Sequence, residues 1–249
     1  ITRIYQLEEQ LQRKERLAAM GELIGRIAHE IRNPLGSVEL FASMLQRDLG
    51  EQSSGKRYAQ QISQAVQSMD RLLTNLLLYT RPVHLARGWH LAESLIDESI
   101  KLAAHAITKV PVEIRVDISQ DIHSMWCHDG QLKQVLVNLV VNAVQAMPDG
   151  GVLAISLSQE PPQTLGIPAV RLTVGDSGIG IAPAHLSRIF DPFFSTKDAG
   201  TGLGLAIVYS IVDAHQGRID VDSTVGQGTA CSIILPHPAI GGDPHAVQT

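Results

Sequence analysis

The amino-acid sequence predicts two domains of different class: an α-helical hairpin, followed by an α+β sandwich with helices on one face of a mixed sheet. In residues 1–80, apolar side chains recur at three- and four-residue steps, with one interruption at 50–55 that is rich in glycine and serine. From about residue 90, the alternating patterns of strands are interleaved with helical patterns. A length of 249 residues with 44% hydrophobic residues is sufficient for two domains with cores of their own.

The hairpin consists of two long predicted helices. The first ends near Leu49, and the second contains the apolar positions from Tyr58 to Tyr79. One hairpin cannot cover both of its apolar stripes, so we expect two copies to pair into a dimeric four-helix bundle. Three apolar residues at heptad spacing precede it and indicate the end of an upstream signalling helix: Ile4, Leu7 and Leu11. We therefore expect the chain to be the C-terminal part of a larger protein, with an input module upstream.

The second domain mixes helices and strands. The patterns predict helices over Ala92–Ala106, Gln131–Met147 and Leu203–His215, with Asp129 as N-cap of the second of these. Strands are predicted at Val112–Ile118, Met125–Cys127, Val152–Ser158, Val170–Val174, Arg218–Asp222 and Thr229–Leu235. The expected division of the chain is an upstream helix at 1–16, the hairpin domain at 17–80, a linker at 81–89, the α+β domain at 90–236 and a disordered tail at 237–249.

The composition argues against several classes of function. A net charge of −5 without a basic patch is unlike a nucleic-acid-binding protein. No apolar run approaches the roughly 20 residues that span a bilayer. No signal peptide opens the chain either, so we expect this part to be cytoplasmic, with membrane attachment only through an upstream region. Cys127 and Cys231 are far apart in sequence, which suggests neither a zinc site nor a disulfide and favours a reducing compartment.

His29 lies on the polar face of the first predicted helix. Ile27 and Ile31 belong to the apolar stripe, and a step of two residues rotates a side chain by about 200° around a helix axis. His29 therefore points away from the core, where another macromolecule can reach its imidazole. An ordinary surface histidine remains the alternative at this point. The other histidines have no spacing typical of a metal site, and we expect them to have surface or capping roles.

Two asparagines, Asn138 and Asn142, lie one turn apart on a predicted helix and therefore share a face. Asparagine is a poor residue for a helix interior. An amide oxygen can ligate a hard cation such as Mg²⁺, and the rest of the amide can bind phosphate or water. Two solvated surface amides are the alternative for this helix in isolation.

Two glycine-rich segments indicate a nucleotide pocket. Asp176-Ser-Gly178-Ile-Gly180 follows an apolar strand, and Gly200-Thr201-Gly202-Leu203-Gly204 opens a helix. Glycines allow close approach of the backbone, and the N–H groups at a helix N-terminus attract phosphate oxygens. A carboxylate at a strand end, such as that of Asp176, can accept hydrogen bonds from an adenine amino group. The Rossmann and P-loop fingerprints do not fit, since the first needs a strand directly before its glycines and the second a Gly-Lys-Ser/Thr sequence.

Together with Phe190-Asp-Pro-Phe193-Phe194-Ser-Thr-Lys197, these segments resemble the sensor histidine kinases of two-component signalling. The resemblance extends over nearly the whole chain. Its five motifs are an H box around His29, an N box at Asn138–Ala146, a G1 box at Asp176–Gly180, an F box at Phe190–Phe194 and a G2 box at Gly200–Gly204. The residue sequences of the last two boxes are most similar to those of the nitrogen-regulatory branch, whose partners are often activators of the σ54 RNA polymerase.

The resemblance implies the Bergerat ATP-binding fold for the second domain, with ATP and Mg²⁺ as cofactors. Asn142 is then the Mg²⁺ ligand, Asn138 assists at the phosphates, Asp176 binds adenine, and residues 190–204 form the ATP lid. ATP-hydrolysing relatives carry a water-activating glutamate at the position of Asn138. Asn138 is not a base, so the expected pocket holds ATP while another group attacks the γ-phosphate. Lys197 either stabilises that phosphate or is solvated.

The attacking group implied by the resemblance is His29, whose neutral imidazole has one free nitrogen. Glu30 accepts a hydrogen bond from the other nitrogen, and Asn33 positions water for dephosphorylating the partner, a response regulator. We therefore expect a homodimeric kinase that is also a phosphatase. The alternatives are an ATPase of the same fold, which the absence of a catalytic glutamate opposes, and an inactive dimerisation module, which would have a damaged motif.

Overall fold

We describe a computed structural model of the chain. It covers residues 31, 34–47, 54–63, 65, 66, 69, 86–108, 110–161, 164–197 and 202–238. The chain divides into two compact units, Ile1–Pro82 and Val83–Thr249. No helix in the described ranges is long and apolar enough to cross a membrane.

The described part of the first unit is helical. Residues 34–47 belong to α1 and residues 54–63 to α2. Small residues are buried in both helices, Ala42 in α1 and Ala59 in α2. Gln46 Nε2 donates to Ser63 Oγ at 3.1 Å, which ties the two helices together. Large apolar side chains nevertheless stay exposed on this unit: Val38, Leu40, Phe41, Met44, Leu45, Tyr58, Ile62 and Met69.

The second unit contains two sheets. Strands β1 (Gly88–Leu91) and β3 (Ser124–Cys127) form an antiparallel pair. The larger sheet has five strands in the order β2-β4-β5-β7-β6. Their bounds are Val112–Ile118 for β2, Gly151–Glu160 for β4, Ala169–Asp176 for β5, Arg218–Thr224 for β6 and Gly228–Pro236 for β7. Only β2 and β4 run parallel to each other, so the sheet is mixed, as the sequence predicts.

Two helices, α5 (Asp129–Gln145) and α7 (Gly204–Ala214), pack on the larger sheet. Helices α3 (Ala92–Leu102) and α4 (Ala104–Ile107) pack against α5, and the short α6 (Pro183–Leu186) lies between β5 and α7 in the sequence. On β4, the buried side chains of Leu153, Ile155 and Leu157 alternate with more exposed ones, which is the pattern of a sheet with one covered face. Helix α5 is central in this layer, because it packs against α3, α7 and the sheet.

Several local predictions differ from the structure. Strand β1 begins within the predicted linker, at Gly88, and the helix predicted over Ala92–Ala106 is interrupted at Ala103. The predicted N-cap was wrong, because His128 has the extended N-cap conformation and makes no side-chain cap bond. Asp129 is instead the first helical residue, and its carboxylate pairs with Lys133 at 2.7 Å.

His237 does not begin a disordered tail. Its ring is buried, Nε2 donates to Ser124 O at 2.8 Å, and the ring packs edge-on against Trp89 at 5.1 Å between centroids. Of the predicted tail, residues 239–249 lie outside the described residues.

Candidate functional site

The two asparagines of α5 face the beginning of α7. Asn138 Nδ2 donates a long hydrogen bond of 3.5 Å to Gly204 O. A Cβ added to Gly204 would lie 3.8 Å from Asn142 Nδ2. Both side chains are partly buried, since the neighbouring turns of α5 carry core residues such as Leu139. The asparagines are therefore not simply solvated surface amides, because they line the space in front of an α-helix N-terminus.

Asp176 ends β5, directly opposite Thr229 of β7. Its Oδ1 accepts the backbone N–H of Gly178 at 2.9 Å, and the carboxylate also accepts the backbone N–H of Thr229. Burial raises the pKa of Asp176 above the usual range of aspartate, although these two N–H groups and the charge of Lys197 oppose the rise. The carboxylate is thus a partly buried acceptor held in place by the backbone.

Gly178 places the turn after β5 against the end of α5. A side chain here would collide with the carbonyl group of Ala146 and would lie 2.8 Å from Asp176 Oδ1. The neighbouring N–H of Ile179 donates to Ala146 O at 2.9 Å. Gly180, with φ of +69°, lies equally close to the backbone of Thr224. As a result, Asp176 is brought to the same end of α5 as the two asparagines.

The segment after α6 packs on the start of α7. Phe190 contacts Tyr209 of α7, with 5.7 Å between ring centroids. Phe193 donates its N–H to Gly202 O at 3.0 Å. Gly202 has φ of +65° and lies so close to the backbone of Phe193 and Phe194 that a side chain has no room. These contacts connect the F-box segment directly to the residues that lead into α7.

Lys197 reaches from this segment to the last turn of α5. Its Nζ donates to Gln145 Oε1 at 2.9 Å. The residue as a whole is exposed, but partial burial of its ammonium group lowers the pKa of Lys197, an effect that the charge of Asp176 opposes. A cation therefore lies within electrostatic range of the Asp176 carboxylate.

The structure brings most of the predicted binding residues to one end of the second unit. They are Asn138, Asn142, Asp176, Gly178, Gly180, Phe190, Lys197, Gly202, Leu203 and Gly204. Outside the described residues lie His29, Glu30, Asn33, Gly200 and Thr201. No group of three or more His, Cys, Asp or Glu that could hold a metal ion occurs in the described parts of the chain.

Sequence reasoning did not single out Thr229 and Gln145. Thr229 contacts the Asp176 carboxylate only because β5 and β7 pair in one particular register. Gln145 meets Lys197 across 52 positions of sequence. No local pattern marks either residue, since both are defined by contacts between distant segments.

Comparison with known proteins identifies the family. Residues 19–84 match the "His Kinase A (phospho-acceptor) domain". Residues 127–239 match the "Histidine kinase-, DNA gyrase B-, and HSP90-like ATPase" family. Over 238 residues, 96% of the chain, the sequence is 34% identical to the sensor histidine kinase ZraS of Escherichia coli K12. The chain belongs to the sensor histidine kinases.

Solved histidine kinases share its fold. Full-length ShkA, in complex with AMPPNP, aligns with a TM-score of 0.75 and 26% identity over 86% of this chain and 45% of that protein. Histidine kinase ThkA in complex with the response regulator TrrA aligns with a TM-score of 0.64 and 28% identity over 96% of this chain and 69% of ThkA. The predicted helical domain followed by a Bergerat α+β sandwich is thereby confirmed. The likeness to ZraS agrees with the expected nitrogen-regulatory branch.

This histidine kinase chain spans about half the length of ZraS, namely 50%.

Proposed function

We propose that this chain is the kinase core of a sensor histidine kinase. It binds ATP in the second unit, phosphorylates His29 and passes the phosphoryl group to an aspartate of a response regulator. The observation that carries the proposal is the convergence of Asp176, Asn142 and the N-terminus of α7 on one site that has no general base on α5. Asp129 is the only carboxylate of α5, and Lys133 donates to it. Asp129 precedes Asn138 by nine residues, a rise of roughly 14 Å along the helix.

The nucleotide would be held by groups of different chemistry. The Asp176 carboxylate accepts the adenine amino group, while the backbone N–H groups at the start of α7 favour phosphate oxygens. Asn142 offers an amide oxygen, which suits Mg²⁺ because this ion takes few protein ligands when phosphates are present. When bound, Mg²⁺ neutralises charge on the phosphates. The bound AMPPNP of ShkA supports ATP as the ligand.

His29 is the proposed phosphoryl acceptor. One imidazole nitrogen attacks the γ-phosphorus, the bond to the β–γ bridging oxygen breaks, and ADP leaves with the electron pair. Glu30 accepts the hydrogen bond of the other ring nitrogen and so stabilises the imidazolium as it forms. The phosphoryl group then moves from nitrogen to an aspartate oxygen of the regulator. The complex of ThkA with TrrA supports a response regulator as the partner.

The exposed apolar residues of α1 and α2 support a homodimer through the hairpin. Phe41 is 63% exposed and Met44 50%, which is unusual for side chains of this type along a helix pair. A second copy would bury them in a four-helix bundle. The nitrogen-regulatory likeness supports a σ54-dependent activator as the regulator. The proposed use of ATP supports a cytoplasmic location for this part of the protein.

Incubation with γ-labelled ATP and Mg²⁺ tests the kinase activity. The wild type is expected to gain an acid-labile, base-stable label, and His29→Gln to gain none. His105→Gln is the matched control, since His105 is an exposed histidine outside the proposed site. Release of free phosphate without labelled protein would favour an ATPase, and no turnover would favour an inactive module.

A second experiment tests the phosphatase activity. Asn33→Ala is expected to keep autophosphorylation within about twofold, since Asn33 acts on water rather than on ATP, and to abolish dephosphorylation of the phosphorylated regulator. The decay of the labelled regulator measures this loss. Equal loss of both activities would refute the separation of roles.

A further inference from the structure

A buried histidine joins α5 and α7 at the end away from the nucleotide site. His215 follows α7 as its C-cap residue and is only 2% exposed. Its Nε2 lies 3.1 Å from the backbone nitrogen of His128, the residue before α5, and its Nδ1 lies 2.8 Å from Ile211 O. Because a backbone N–H can only donate, Nε2 must accept. Nδ1 therefore carries the proton and donates to Ile211 O, which makes the ring neutral.

The two ends of this helix pair are about one helix length apart. Gly204 begins α7 and His215 follows its last residue, a rise of roughly 16 Å. His128 precedes Asn138 by a similar length of α5, roughly 15 Å. The helices are thus joined at one end by His215 and meet at the other where Asn138 contacts Gly204.

Arg87 reinforces the end of α7. It lies just before β1, and its guanidinium donates to Ala214 O at 2.9 Å and, more weakly, to Gln216 Oε1 at 3.5 Å. A cation at a helix C-terminus is favourable because of the helix dipole. The carbonyl group of Ala214, the last residue of α7, is therefore held by Arg87, while His215 holds the start of α5.

We propose that His215 is a positioning residue of the nucleotide site. By accepting the N–H of His128, it sets the position of α5 relative to α7 and hence the spacing at which Asn138 and Asn142 face Gly204. The inference rests on the proposed function, because nucleotide binding is its readout. Without this hydrogen bond, a smaller fraction of molecules has the binding geometry, and apparent affinity falls by that fraction.

Two substitutions in the full chain, each of which introduces an amide side chain at position 215, distinguish the hydrogen bond to His128 from the one to Ile211. In His215→Gln, Oε1 is as many bonds from Cα as Nε2 of histidine, so it can accept the N–H of His128. In His215→Asn, Nδ2 corresponds to Nδ1 and can donate only to Ile211 O. We expect His215→Asn to bind a fluorescent ATP analogue about five- to tenfold more weakly and His215→Gln to bind within about twofold of the wild type. KM for ATP should rise in His215→Asn while kcat is retained, since saturation restores the bound geometry.

Equal affinities of His215→Asn and the wild type, or equal losses in both folded variants, would overturn the proposal. Absence of binding by the wild type would instead overturn the proposed nucleotide function. If His215→Asn does not fold, the proposal is tested by comparing the pH dependence of ATP-analogue binding in the wild type and in His215→Gln.

Burial, together with the charges of Arg87 and His128, lowers the pKa of His215, although its bond to Ile211 opposes this. On the neighbouring helices, Lys133 of α5 pairs with Asp129 of the same helix and with Glu98 of α3. Helix α3 also carries Glu93, Asp97 and Lys101, the last two paired with each other, and α7 carries Asp213. An imidazolium cannot accept the N–H of His128, so the affinity of the wild type for the ATP analogue should fall as the pH drops below the usual histidine range. His215→Gln should not show this pH-dependent loss. Parallel profiles would overturn the proposal.

Discussion

Gly178→Ala tests whether the approach of the β5 turn to α5 builds the nucleotide site. The backbone conformation of Gly178 is accessible to alanine, so the effect would come from space alone. The new methyl group would overlap the carbonyl group of Ala146 and crowd Asp176 Oδ1. It would therefore strain two bonds, from Ile179 N–H to Ala146 O and from Gly178 N–H to Asp176.

The expected magnitude follows from these contacts. Inserting a methyl group into a packed site costs about 1–3 kcal/mol. Weakening one backbone hydrogen bond adds about 1 kcal/mol. We expect Gly178→Ala to lower the free energy of unfolding by about 2–4 kcal/mol. Displacement of the Asp176 carboxylate should also weaken ATP binding about tenfold, which corresponds to about 1.4 kcal/mol.

Gly175→Ala, on β5 just before the turn that contains Gly178, is the matched control. Its Cβ would meet only the backbone oxygens of Ala154 and Thr229, both at 3.9 Å, which is ordinary contact. Less backbone freedom in the unfolded chain should stabilise this variant by up to about 1 kcal/mol. Urea unfolding can be followed by intrinsic fluorescence, because both tryptophans, Trp89 and Trp126, lie in the second unit. The reasoning fails if Gly178→Ala unfolds and binds a fluorescent ATP analogue like Gly175→Ala.

Two further substitutions probe the second unit. Gln216 has φ of 60° in the turn after α7, so Gln216→Gly should raise the free energy of unfolding by about 0.5–1 kcal/mol. In the same urea assay, Gly217→Ala should lower it by about 1–3 kcal/mol, because the new methyl group would collide with the backbone oxygen of Ile234 and with the side chain of Leu235. A stabilising Gly217→Ala would contradict this assignment of strain. Because the folded-state pKa of Asp176 is raised, its charge costs stability at neutral pH, and the cost disappears as pH falls through that pKa towards the usual aspartate range. Asp176→Asn should therefore be more stable than the wild type at neutral pH, by a margin that shrinks in acid, yet bind ATP more weakly; a constant margin across pH would refute the burial argument.

Much of the site could be predicted because its residues lie in short, continuous segments. The turn from β5 through Gly178 and the entry into α7 are local features in which glycine and polar residues interrupt apolar patterns. Asn138 and Asn142 share a face by helical periodicity alone. Histidine kinase membership could be recognised for the same reason, since each motif is a run of neighbouring residues.

Other features could not be predicted because they depend on contacts between distant segments. Strand β1 pairs with β3 across more than 30 positions, and its tryptophan pairing leaves no alternating pattern in so short a segment. The N-cap of α5 was misplaced because the extended conformation of His128 accompanies its bond to His215. His237 was expected in a tail, but its contacts with Ser124 and Trp89 form only after folding.

The sequence by itself determined most of the helices and strands in their order, the family and the chemical types of the site residues, because periodicity and motifs are properties of neighbouring residues. Only the tertiary structure decided that Asp176 is a partly buried carboxylate held by Thr229 and that His215 is a neutral acceptor for His128. Burial and hydrogen-bond partners set these states. Both arise from strand register and helix packing, which join residues far apart in the chain.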